Sequence, residues 1–190
     1  MDDSPLDFAV PYELMVGLWS GTASLFNAQG RFLSMTPSIV AIYWKQPSTL
    51  LCYRQIQEDF ALTDGEMSLK SLAGQDCTGG ETKSDPNLRM FELHFDLQVS
   101  GKYCTGTAFG SSSLRSVQGT ETRPGVYIFH LGFDSGQYYN NQYFTTANDR
   151  HIIGPYVQNG SPQVANVIAQ AFTRISYQVP PQFQREIAEL

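Results

Sequence analysis

Apolar and polar residues alternate with a period of two along much of this chain, and turn residues interrupt the alternation about every eight to twelve positions. The clearest run is Leu88–Val99. There Phe91, Leu93, Phe95, Leu97 and Val99 share one face, and Glu92, His94, Asp96 and Gln98 share the other. Tyr12–Val16 reads as a helical turn that leads into a first strand over Leu18–Phe26. Asn27-Ala28-Gln29-Gly30 then turns into a second strand region, Arg31–Tyr43. Pro37 interrupts that region and predicts an edge, a bulge or a change of direction, since proline donates no ladder hydrogen bond.

Further strands follow over Thr49–Gln57, Leu88–Val99, Lys102–Phe109, Leu114–Thr122, Val126–Phe133, Gln137–Thr146, His151–Gln158 and Val164–Gln178. Gly74–Asn87 reads as an exposed loop, and Gly110-Ser111-Ser112-Ser113 as a hairpin without the helix a phosphate loop needs. Pro180-Pro181 stops the last strand before a short helix near Phe183–Leu190. The expectation is an all-β fold, one up-and-down antiparallel barrel of about eight to ten strands filling residues 1–190 as a single domain.

Composition narrows the function classes. The 12 basic and 18 acidic residues give a formal charge of −6 without a basic cluster, which argues against nucleic acid as a partner. No segment is long and apolar enough for a transmembrane helix, and the acidic start Met1-Asp2-Asp3 lacks a signal-peptide pattern. The expectation is a cytoplasmic chain, with Cys52, Cys77 and Cys104 as free thiols; a Cys77–Cys104 bridge belongs to the exported alternative. His94, His130 and His151 have no metal-ligand spacing, so no metal and no cofactor are expected, although a haem on one histidine stays open.

Gly17-Leu18-Trp19 opens the first strand, and Arg174 lies in the last. Together they resemble the floor of the calycin group, the lipocalin-like and fatty-acid-binding-like barrels. That resemblance implies a guanidinium over the indole, closing one end, with Gly17 allowing close backbone approach. It also implies a small apolar ligand in the lumen, and among intracellular relatives fatty-acid carriers, bilin lyases and small cyclases.

Polar and aromatic residues on wall strands supply the candidate chemistry. Tyr53, Arg54, Glu92, His94, Tyr139 and Tyr143 are candidate catalytic groups. An inward Arg54 would grip a carboxylate or enolate oxygen, and a Glu92–His94 pair would suit proton transfer. Surface exposure is the plainer reading for Arg54, Glu92 and His94. Trp44, Phe91, Phe95, Tyr127, Phe129 and Asn141 are candidate ligand contacts. In Tyr138-Tyr139-Asn140-Asn141-Gln142-Tyr143 neither face is purely apolar, so the pattern does not say which face lines the lumen.

Two functions remain: a cofactor-independent cyclase, isomerase or lyase acting on a conjugated, largely apolar molecule, and a carrier that only stores such a ligand. A third reading is a carbohydrate-binding β-sandwich with Trp44, Tyr138 and Tyr139 as its platform. A homodimer is compatible with all three.

Overall fold

The computed structural model describes residues 10–58, 90–109, 114–181 and 184; the side chains of 56–58, 90–93 and 108–109 lie outside that description. A 3-10 turn at Glu13–Met15 precedes ten strands. They are β1 (Gly17–Asn27), β2 (Phe32–Gln46), β3 (Leu50–Glu58), β4 (Met90–Ser100), β5 (Tyr103–Phe109), β6 (Leu114–Arg123), β7 (Val126–Phe133), β8 (Gly136–Thr146), β9 (Asp149–Gln158) and β10 (Val164–Ser176). Each strand pairs antiparallel with its neighbours in sequence. β1 pairs with β10, which closes the sheet into an up-and-down barrel without an edge.

Strand positions follow the alternation and the turns. β8 shows the period of two most cleanly: Gly136, Tyr138, Asn140, Gln142 and Phe144 are buried, and the residues between them are exposed. Pro37 does not break β2. It sits opposite Thr22 of β1, and pairing with β3 begins only at the next residue, where Ser38 faces Gln57. Its missing N–H therefore falls where the β2–β3 ladder ends. Cys77, the loop Gly74–Asn87, the Gly110–Ser113 turn and the expected helix near Phe183–Leu190 fall outside the described residues, apart from Gln184.

Two apolar clusters result. The larger fills the lumen near the 3-10 turn with Tyr12, Leu14, Met15, Trp19, Val40, Ile42, Leu51, Leu97, Tyr127 and their neighbours. A smaller cluster lies outside the barrel, where Val179 packs on Leu18, Ile39 and Ala41. There the Tyr43 hydroxyl donates to the Gln184 carbonyl at 3.2 Å, so the chain after β10 covers the outer face of β1 and β2. The barrel overturns the sandwich alternative. Tyr138 points inward and Tyr139 outward, so those two cannot form one sugar-stacking platform with Trp44.

Candidate functional site

The floor is built where the chain enters β1. Tyr12 adopts φ 66° and starts the 3-10 turn, and its hydroxyl donates to the Lys102 carbonyl at 2.8 Å. Trp19 is fully buried, and its Nε1 donates to the Met15 carbonyl at 2.9 Å. The Arg174 guanidinium lies 4.1 Å from the indole centroid. It donates to the carbonyls of Leu14 (2.8 Å), Ala147 (2.8 and 3.1 Å) and Val16. A Cβ on Gly17, whose φ is 141°, would stand 2.6 Å from the Ser176 carbonyl oxygen and 2.8 Å from Arg174 Nη1. Trp44 belongs to the same end, since its Nε1 donates to Glu13 Oε2 at 2.8 Å. Burial, and secondarily the charge of Arg150, lowers the Arg174 pKa to about 10.

Arg150 stands on the lumen side of that floor. It is the second residue of β9, opposite Phe144 on β8 and Phe172 on β10, and it is 0 % exposed. Its guanidinium lies 5.1 Å from the Trp19 centroid and 4.8 Å from that of Phe172. None of its three nitrogens has a hydrogen-bond partner among the described residues. The Tyr53 hydroxyl approaches it but donates to Gln55 Oε1 at 2.8 Å, and Gln55 Nε2 donates on to Ser38 Oγ at 3.0 Å. Burial pushes the Arg150 pKa down, opposed by the phenols of Tyr53 and Tyr127.

Beyond Arg150 the wall carries polar groups among aromatic ones. Tyr138 Oη, Asn140 Oδ1 and Gln142 Oε1 on β8, with Gln170 Oε1 on β10, are buried without partners. Facing them in register on β7 are Leu131, Phe129 and Tyr127, opposite Tyr138, Asn140 and Gln142 respectively. Tyr53 stacks on Phe95 with centroids 4.4 Å apart and planes 6° apart. Glu121, also buried, lies opposite Tyr127 and raises the pKa of that phenol further after desolvation, the main cause. Burial likewise raises the pKa values of Tyr53 and Tyr138. These phenols stay protonated at neutral pH, which suits hydrogen bonding and positioning better than proton abstraction.

The expected site residues divide between the two sides of the wall. Tyr53, Phe95, Tyr127 and Phe129 face the lumen, and Gly17, Trp19 and Arg174 meet at its floor. Arg54 faces outward instead. It pairs with Asp96 at 2.8 Å and donates to the carbonyls of Tyr53 and Phe95 at 2.9 and 3.0 Å. His94 lies opposite Arg54 on the same outer face, only 6 % exposed. The side chains of Phe91 and Glu92 lie outside the described residues.

On β8 the expected side is reversed. Tyr139, Asn141 and Tyr143 point outward: Tyr139 stacks on His130, Tyr143 on His151, and Asn141 Nδ2 donates to the Ile153 carbonyl at 3.2 Å. The wall residues are Tyr138, Asn140 and Gln142. Arg150 has no signal of its own in the sequence, because Asn148-Asp149-Arg150 reads as a turn. In the fold the turn ends at Asn148, two residues earlier, and Arg150 enters the ladder. Among the described residues no three His, Cys, Asp or Glu side chains group as metal ligands, and no helix is long and apolar enough to cross a membrane.

No protein-family model and no curated protein sequence matches the chain. Solved structures do match in shape. The S-type phycobiliprotein lyase CPES from Guillardia theta superposes with a TM-score of 0.55 at 13% identity, over 86% of this chain and 89% of the lyase. Rv2717c from Mycobacterium tuberculosis gives 0.56 at 12% identity, over 85% and 92%. A protein of unknown function from the DUF3598 family of Nostoc punctiforme gives 0.57 at 9% identity, over 92% of this chain and 54% of that one. At such identities the likeness concerns the fold, a calycin-like closed antiparallel barrel.

Proposed function

We propose that this barrel binds a small, largely apolar molecule in its lumen, with a flat, conjugated body held between aromatic walls. The observation that carries the reading is the row of Tyr138, Asn140, Gln142 and Gln170, four buried polar groups with an unpartnered oxygen each, set against Phe129, Leu131 and Tyr127. A buried amide or phenol without a partner costs about 1–3 kcal/mol. Four on one wall are a large standing cost in a fold of ordinary stability. A ligand with hydrogen-bonding groups along an apolar body would recover that cost on binding. Shape and a few polar contacts can also hold such a molecule in a reactive conformer.

Turnover is the second reading, favoured by the fold shared with a phycobiliprotein lyase and by phenols that stay protonated beside the lumen. In it Tyr53 and Tyr138 position or protonate the substrate. N-Phenyl-1-naphthylamine, a neutral flat fluorophore, tests the binding reading. Its emission should rise at one equivalent per chain, and Gln170→Phe, which adds bulk to the lumen wall, should weaken binding at least tenfold without loss of the folded spectrum. Wild-type protein that leaves the dye dark would end the proposal. Mass spectrometry of co-purifying compounds, followed by incubation with the compound found, separates storage from turnover, since a compound released unchanged counts against catalysis.

A further inference from the structure

Three arginines of the described barrel are nearly or wholly buried, and two of them make several hydrogen bonds. Arg54 bonds Asp96 and two carbonyls; Arg174 bonds three carbonyls and caps Trp19. Arg150, the most deeply buried, has no hydrogen-bond partner among the described residues. A guanidinium presents five N–H donors in a planar fork that matches a carboxylate, and it has no neutral state to retreat to at physiological pH. The Trp19 and Phe172 rings beside it offer cation–π attraction but accept no directed hydrogen bond from the fork. Its polar neighbours are the phenols of Tyr53 and Tyr127, which are uncharged; Tyr53 gives its proton to Gln55 Oε1 and keeps only a neutral oxygen toward the guanidinium. Among the described residues the surroundings therefore hold a positive charge in place and supply no carboxylate to complement it.

We propose that Arg150 anchors the acid group of a carboxylic acid with an apolar body, which enters the barrel head first and sets its carboxylate against the Trp19 floor. The proposal rests on the lumen-binding reading above and names the ligand class. Depth in the barrel supports the orientation. Arg150 is level with Phe144 and Phe172, one layer above Trp19. Further from the floor, β7 and β8 present Phe129 with Asn140, then Leu131 with Tyr138. An acid at Arg150 thus leaves its body along an aromatic and aliphatic wall. The unpartnered oxygens on β8 and β10 accept hydrogen bonds, so they suit N–H or O–H groups on the body and repel a second carboxylate.

Displacement of N-phenyl-1-naphthylamine by dodecanoate and by dodecanol, both below micelle formation, tests this on the whole chain. The two differ in the head group, so wild-type protein should prefer the acid by on the order of ten- to a hundredfold, the worth of one charged hydrogen-bonded pair. Arg150→Met should keep dye binding, bind both competitors alike and lose the preference; Arg150→Lys should recover part of it. Binding of the acid should also shift Trp19 fluorescence, because Arg150 lies against the indole. Equal binding of acid and alcohol by wild-type protein, with the dye bound normally, overturns the anchor and leaves the lumen reading standing. No dye binding at all takes both readings down. If sodium acetate protects against heat as well as dodecanoate does, the site serves a small free anion and the apolar acid is wrong. Should Arg150→Met fail to fold, the wild-type acid-to-alcohol comparison still decides.

Discussion

Arg174 and Arg150 face the same indole, at 4.1 and 5.1 Å, yet they live under opposite conditions. Arg174 spends its donors on the carbonyls of Leu14, Val16 and Ala147, stitching the 3-10 turn and the β8–β9 turn to β10. Arg150 has the same fork and no hydrogen-bond partner among the described residues. A satisfied buried charge holds the architecture together, since removing it orphans every group it touches. An unsatisfied one works against the folded state, so its persistence points to what the fold must bind. The difference assigns Arg174 to the floor and leaves Arg150 for the proposed ligand.

Substitutions can break that contrast. Arg174→Ala should be the most damaging, at about 3 kcal/mol or more by urea denaturation, because three carbonyls lose their donor and Trp19 its cap. A loss under about 1 kcal/mol would mean the floor closes without it. Trp19→Phe removes the Nε1 bond to Met15 and part of the ring surface facing both guanidinia, and should lower stability by roughly 1–3 kcal/mol. For Arg150→Met the sign reverses. Without ligand the variant should be as stable as wild type or up to ~1–2 kcal/mol more stable, as when apolar residues replace buried charges. A clear loss of thermal stability would place Arg150 among the structural residues with Arg174.

The smallest effect is pH dependence at Arg174. Its folded pKa is lowered to about 10, so between that value and the ordinary arginine range the unfolded chain holds a proton that the folded chain has released. Stability attributable to this group therefore rises with pH across that window. Compared with Arg174→Gln, the wild type should gain roughly 1 kcal/mol between pH 8.5 and pH 10.5 in parallel urea titrations. A wild-type advantage that shrinks instead would contradict the desolvated floor.

Much of the wall is legible in the order of residues alone. Turn residues such as Asn27–Gly30 mark hairpins that form, and the ten strands agree with the expected count. The pair of Trp19 with Arg174 is readable because indole and guanidinium suit one contact and sit at the two ends of the chain that a closed barrel joins. The β8 segment is not readable in the same way. Tyr and amide side chains occupy both of its faces, so alternation says which residues travel together without saying which set goes in. Phe144 settles the side, since it meets Trp19 edge-on at 5.6 Å and carries Tyr138, Asn140 and Gln142 inward with it. Arg54 shows the same limit: one register step separates it from the lumen-facing Tyr53.

By itself the sequence determined the strands, their turns and the all-β class, because period-two patterning and turn chemistry are local properties of the chain. Only the tertiary structure decided closure between β1 and β10, the inward side of β8 and the isolation of Arg150. Those depend on which surfaces meet across the barrel. A buried charge has no local signature: Arg150 becomes exceptional only when β9 closes it between Trp19 and Phe172 with no hydrogen-bond partner among the described residues.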